Sequence, residues 1–141
     1  MGLRIGAVTV DCQDPGPVAR FWAAALDWVI SRDQDPEWVV EPPAGSRDDC
    51  VVADLLFIKV PEPKTIKNRL HFDLRPEDQA AELARLEALG ASRVDVGQGE
   101  DKNWVVLADP AGNEFCLQPA HPPQLRAQWL QAYESYQRVD A

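Results

Sequence analysis

Two stretches of this chain, 64 residues apart, carry the same succession of elements, and that repetition limits the fold more than any other feature. Residues 3–12 alternate as a strand does. Val8, Val10 and Cys12 fall on one side, and Ala7, Thr9 and Asp11 on the other. Asp14-Pro15 follows, where Asp suits an N-cap and Pro the first helical position. Val18, Phe21, Trp22, Ala25 and Leu26 then form an amphipathic stripe, and the helix should stop near Asp27. Strands are expected at Trp28–Ser31 and Trp38–Glu41, split by a charged turn at Arg32–Pro36. Residues 42–49 read as a loop, and Asp54–Val60 as the next strand.

The pattern then restarts at Arg69–Leu74. Leu70, Phe72 and Leu74 point to a core, while Arg69, His71 and Asp73 share the opposite face. A helix is expected from about Glu77 to Leu89, with Ala80, Leu83, Leu86 and Leu89 on one side and Gly90 as its stop. Strands at Ala91–Val96, Trp104–Ala108 and Glu114–Gln118 follow, the last two joined by the Asp109–Asn113 turn. Ala7 falls on His71, Asp14 on Asp78 and Leu26 on Leu89. The expectation is therefore an α+β fold of two tandem βαβββ modules, about 3–60 and 69–118, in one domain spanning 1–141. A helix over about 124–137 follows. Its stripe of Leu125, Trp129, Ala132, Tyr133 and Tyr136 needs a cover, either its own domain or a second copy.

Charge narrows the partners. The net charge is −9, and no basic patch of the kind that grips phosphates is present, so nucleic acid is excluded. Lys64, Lys67 and Arg69 form the densest positive group and read as a solvated loop. Three cysteines without CxxC spacing make neither a disulfide framework nor a zinc signature, which fits a reducing cytoplasm. No apolar run approaches the roughly 18 residues of a membrane span, and no signal peptide is evident.

Four pieces in this order resemble the vicinal-oxygen-chelate superfamily, which includes glyoxalase I, extradiol dioxygenases and bleomycin-resistance proteins. They are Asp14-Pro15 leading to Phe21–Leu26, Val60–Lys64, Lys67–Leu74 and Asp109–Cys116. The closest likeness is to its small glyoxalase-like domain members. The resemblance covers residues 3–118 and implies a curved, mostly antiparallel sheet cup whose inner face holds a ligand. That face would carry Ala7, Thr9 and Asp11 from module one, and His71, Asp73, Glu114, Cys116 and Gln118 from module two. Trp28, Trp38 and Trp104 are candidates for its walls, whereas Trp22 belongs to the core.

Metal-dependent members of the superfamily place a His or Glu on the first and last strand of each module. Here those positions fall on Ala7, on an apolar stretch within Leu55–Lys59, on His71 and on Cys116. Two donors are fewer than a catalytic zinc needs, so no metal is expected, although Asp73 and Asp11 should share the cup face. His71 is the candidate general base and the only plausible activator of a Cys116 thiol; His121 reads as surface. The resemblance implies a binder of a small organic molecule, of the kind that sequesters an antibiotic, contacted by His71, Asp73, Thr9, Asp11, Trp104, Cys116 and Gln118. The alternative is a lyase, isomerase or dioxygenase, metal-dependent or assisted by His71. Members of the superfamily commonly pair, so a homodimer is expected.

Overall fold

A computed structural model describes residues 2–137, with side chains described through Ser135. Module one contributes strands Ala7–Cys12 (β1), Val29–Gln34 (β2), Glu37–Glu41 (β3) and Asp54–Lys59 (β4). Module two contributes Asp73–Leu74 (β5), Ser92–Arg93 (β6), Val105–Ala108 (β7) and Glu114–Leu117 (β8). The two sheets have the same order, β1-β4-β3-β2 and β5-β8-β7-β6. In each, the first strand pairs parallel with the last and the other pairings are antiparallel. A parallel pair needs a crossover, and helices Pro15–Leu26 (α1) and Gln79–Leu89 (α2) begin it. The tandem βαβββ arrangement is thus the observed fold, completed by helix Pro123–Gln137 (α3).

The helix ends follow their sequences. Asp78 accepts from the Ala81 amide at the start of α2, and Gly90 closes it in the left-handed region. Asp14 stands at the matching place before α1, but its side chain caps nothing. Pro17 occupies the third helical position and has no N–H to offer.

One core joins the modules. Trp22 of α1 packs edge-on against Phe72 and Phe115 of module two, with ring centroids 5.4 and 5.1 Å away. Its indole N–H donates to the buried Asp109 carboxylate at 2.9 Å. Arg85 of α2 donates to the Ala24 and Ala25 carbonyls in the last turn of α1. Those carbonyls lack helical partners, and a cation there also meets the negative end of the helix dipole.

Several expected boundaries move, each for want of a neighbour. The 69–74 strand shrinks to Asp73–Leu74, and Leu70, assigned to the core, is 72% exposed. Its partner β8 begins only at Glu114, and that residue's carboxylate, not its backbone, takes the Asn68 amide. Residues 3–6 leave the first strand because β4 starts at Asp54; Leu3 and Ile5 are exposed. The Ala91–Val96 strand is reduced to Ser92–Arg93, with one further bond from the Val94 amide to Val106. The charged turn shortens to Asp35-Pro36, and β2 runs on to Gln34. Lys59 and the Trp38 indole both donate to Asp35 at that turn.

Trp28 and Trp38 are not cup walls. Trp38 pairs opposite the buried Phe57, which turns it towards α1, where Arg20 lies over its ring; Trp28 packs on the same core. The α3 stripe is only partly covered. Tyr133 donates to Asp48 and lies under the Arg47 guanidinium, whereas Trp129 is 65% exposed and stacks on His121. The Tyr136 side chain lies outside the described residues. Among the described residues, no helix is long and apolar enough to cross a membrane.

Candidate functional site

The two sheets do not join. β1 is the edge of one and β5 the edge of the other, and a cleft of about 510 Å³ separates β1 from residues 68–72. Val8, Val10, Leu70, Phe72 and Trp22 give it apolar surface, while Thr9, Asp11, Asn68, Arg69 and His71 give it polar groups. Thr9, Asp11 and His71, all expected on the cup face, therefore line one space. A neighbouring cavity of about 610 Å³ continues along the 62–69 connection between the modules.

That connection is tied down at one point. The Lys64 ammonium is 2.8 Å from the Glu114 carboxylate, and the Asn68 amide donates to the same group. Burial works to raise Glu114, but these two donors outweigh it and leave its carboxyl below the ordinary value. Lys67 and Arg69 differ from Lys64. Among the described residues neither is seen to pair with a carboxylate; Arg69 lines the cleft, and Lys67 lies outside it, on the neighbouring cavity. The reading as a solvated loop holds for Lys67 and Arg69, which are exposed, and fails for Lys64, which is half-buried against Glu114.

A second grouping sits deeper on module two. The β5–β8 register sets Asp73 opposite Cys116, so both side chains leave the sheet on one face, and His71 precedes Asp73 by one side-chain period. One donor atom from each of His71, Asp73 and Cys116 lies within 4.8 Å of the others. His71 Nε2 stands 3.6 Å from Asp73 Oδ1, too far for a hydrogen bond. Burial, then the nearby Asp73 charge, pushes the Cys116 thiol up. Burial likewise pushes Cys12, near the cleft, up to about 11. A thiol raised in this way is a weaker nucleophile at neutral pH than an ordinary cysteine.

Gln118 and Trp104 fall outside these groupings. Alternation from Cys116 puts Gln118 on the same face, half-buried, with its backbone N–H donating to the Leu74 carbonyl. Trp104 precedes β7, half-buried, with the Lys102 ammonium 5.6 Å from its ring centroid. Neither lines the cleft.

The sequence model of the glyoxalase-like domain family matches residues 7–118, so the chain belongs to that family, within the vicinal-oxygen-chelate superfamily. No curated protein matches it. Solved structures are similar in fold. One is a glyoxalase/bleomycin resistance protein/dioxygenase family enzyme from Burkholderia phytofirmans PsJN, 16% identical, with TM-score 0.59, covering 84% of this chain and 100% of that one. Another is TnmS3, described as an antibiotic binding protein from Streptomyces sp. CB03234, 19% identical, with TM-score 0.56, covering 84% and 97%. A third is the oxidase ChaP-H2, 18% identical, with TM-score 0.58, covering 86% and 96%.

The superfamily's metal centre, drawn from both modules, does not fit these residues. Cys116 lies across from the residue two beyond His71; the same step in module one leads from Ala7 through Thr9 to Leu56. Ala7 and Leu56 have no donor atoms, so module one cannot supply its half of such a centre.

Proposed function

We propose that this chain binds a small organic molecule in the cleft between β1 and residues 68–72, with His71 as a polar anchor. The observation that carries the reading is the cleft itself. About 510 Å³, walled by apolar side chains and set with a few convergent polar groups, is the form that specific small-molecule sites take. The likeness in fold to an antibiotic binding protein supports sequestration as its purpose. Arg69 beside His71 accommodates an acidic group on the ligand as readily as Asp11 accommodates a basic one, so the overall charge of −9 is a poor guide to the ligand. A ligand that binds only the folded chain raises its melting temperature, by about 2.7 kcal/mol of stabilisation at a hundredfold excess over Kd. A thermal-shift screen across antibiotics and metabolites should give such a rise. No rise across a broad set contradicts the reading.

The convergence of His71, Asp73 and Cys116 favours a second reading, a lyase, isomerase or dioxygenase in which His71 moves a proton. It requires that His71→Ala abolish a detected turnover while the circular dichroism spectrum is unchanged.

A further inference from the structure

We propose that the cleft takes a short peptide in extended form, which adds a strand along the open edge of β1. The proposal rests on the small-molecule reading above and names the chemical class of its ligand.

The phase of the existing hydrogen bonds carries it. The Asp54 amide donates to the Gly6 carbonyl, and the Val60 amide to the Cys12 carbonyl. In a parallel pair, alternate residues of a strand direct both N–H and C=O to the same neighbour. The even-numbered residues of β1 therefore serve β4, and Thr9 and Asp11 turn both groups to the open edge. The facing edge has the same phase over its short length. The Cys116 amide donates to the Phe72 carbonyl and the Gln118 amide to the Leu74 carbonyl, so His71 and Asp73 direct theirs away from β8. Among the described residues, no hydrogen bond engages the backbone of Thr9, Asp11 or His71. The N–H and C=O of Thr9 recur at Asp11 about 6.6 Å further on, the interval at which an extended peptide repeats its own outward amides. An open edge of this kind, beside a cleft, is the surface that strand addition uses.

The side chains around the cleft divide as an added strand requires. Val8, Val10 and Phe72, half-buried, lie on the core side with the buried Trp22. Thr9, Asp11 and His71 are exposed on the cup side. The side chains of a strand alternate between two faces, so a bound peptide meets apolar surface with one set and polar groups with the other. Leu70 lines the cleft yet is 72% exposed, and an apolar residue of the peptide would cover it. A volume of about 510 Å³ is that of a small-ligand site, which commits the cleft to a short free peptide rather than to the edge of another protein.

The test uses the full chain with two probe sets. One is a library of pentapeptides, blocked at both ends, in which apolar and polar residues alternate; the other is a set of compounds without amide groups. At least one peptide should raise the melting temperature and bind one per chain by isothermal titration. N-methylation of an interior amide of that peptide should lower its affinity at least about tenfold, since it removes a donor and crowds the edge. Hydrogen exchange read by NMR tests the phase. At saturation the Thr9 and Asp11 amides should exchange at least about tenfold more slowly, and those of Val8 and Val10, already bonded to β4, should not change. No binding from the peptide library overturns the proposal, as does binding that leaves the Thr9 and Asp11 amides unprotected. A compound without amides that binds the parent but not Thr9→Trp would then leave the small-molecule reading standing. Protection of the two amides that rises with chain concentration alone assigns the edge to a second copy and also overturns the proposal.

Discussion

Replacing Asp109 by Ala should cost the fold about 3–4 kcal/mol, most of it through a residue 87 positions away. Asp109 is buried at 5% exposure. Its Oδ2 accepts the Trp22 indole N–H at 2.9 Å, and its Oδ1 accepts the Ala111 and Asn113 amides at 2.9 and 3.0 Å. Three donors and no acceptor face it, as an ionised carboxylate requires. A hydrogen bond to a charged group contributes about 1.5–3 kcal/mol, and a buried donor left unpaired loses its hydration besides. Trp22 is 3% exposed, so water does not replace the lost partner there. The two turn amides lie nearer the surface and together add about 1 kcal/mol. Urea unfolding followed by far-ultraviolet circular dichroism measures the loss without relying on the tryptophan signal. A cycle with Trp22→Phe isolates the pair. In the Trp22→Phe background the Asp109→Ala cost should fall by about 1.5–3 kcal/mol. Costs that add within about 0.5 kcal/mol would refute the reasoning, because Trp22 and Asp109 would then act independently.

Burial also pushes the Asp109 carboxyl above its ordinary value, and its hydrogen bonds only partly offset this. The folded chain then keeps a proton where the unfolded chain has released it, so this group's contribution to stability falls as pH rises from about 3.9 to the raised value. Asp109→Asn should remove that part of the slope in chemical denaturation run across the acid range; an unchanged slope counts against the assignment. Arg85→Ala should cost about 1–2 kcal/mol by uncovering the α1 carbonyls of Ala24 and Ala25, and Arg85→Lys should recover only part, since one ammonium cannot reproduce the fork. Full recovery by Lys in urea unfolding would mean that charge, not geometry, is what α1 uses.

The tandem modules were legible because local signals agreed. Alternation over residues 7–12, the Asp-Pro helix start and the recurrence of Asp14 as Asp78 each pointed to the same unit. What failed depended on partners distant in sequence. Leu70 alternates correctly but has no neighbour to bury it, because the ladder to β8 begins only past it. Trp38 reads equally well on either face, and its pairing with Phe57 settles which. The site divided in the same way. Alternation put His71 and Asp73 on one face and the family resemblance added Cys116 to it, but their approach to within 4.8 Å follows from a register between strands distant in sequence. The gap between β1 and residues 68–72 left no trace in local pattern, since an unpaired edge strand has the same alternation as a paired one.

The proposed ligand cleft is tested most directly at Thr9, an exposed position on β1 that faces it. Thr9→Trp fills the space with an indole and touches no core contact, so the melting temperature should stay within about a degree or two of the parent's, as expected for a surface substitution. Isothermal titration of the strongest thermal-shift hit should give one site per chain in the parent and no saturable binding in Thr9→Trp. Equal affinity in the two proteins would place the ligand elsewhere and contradict the account.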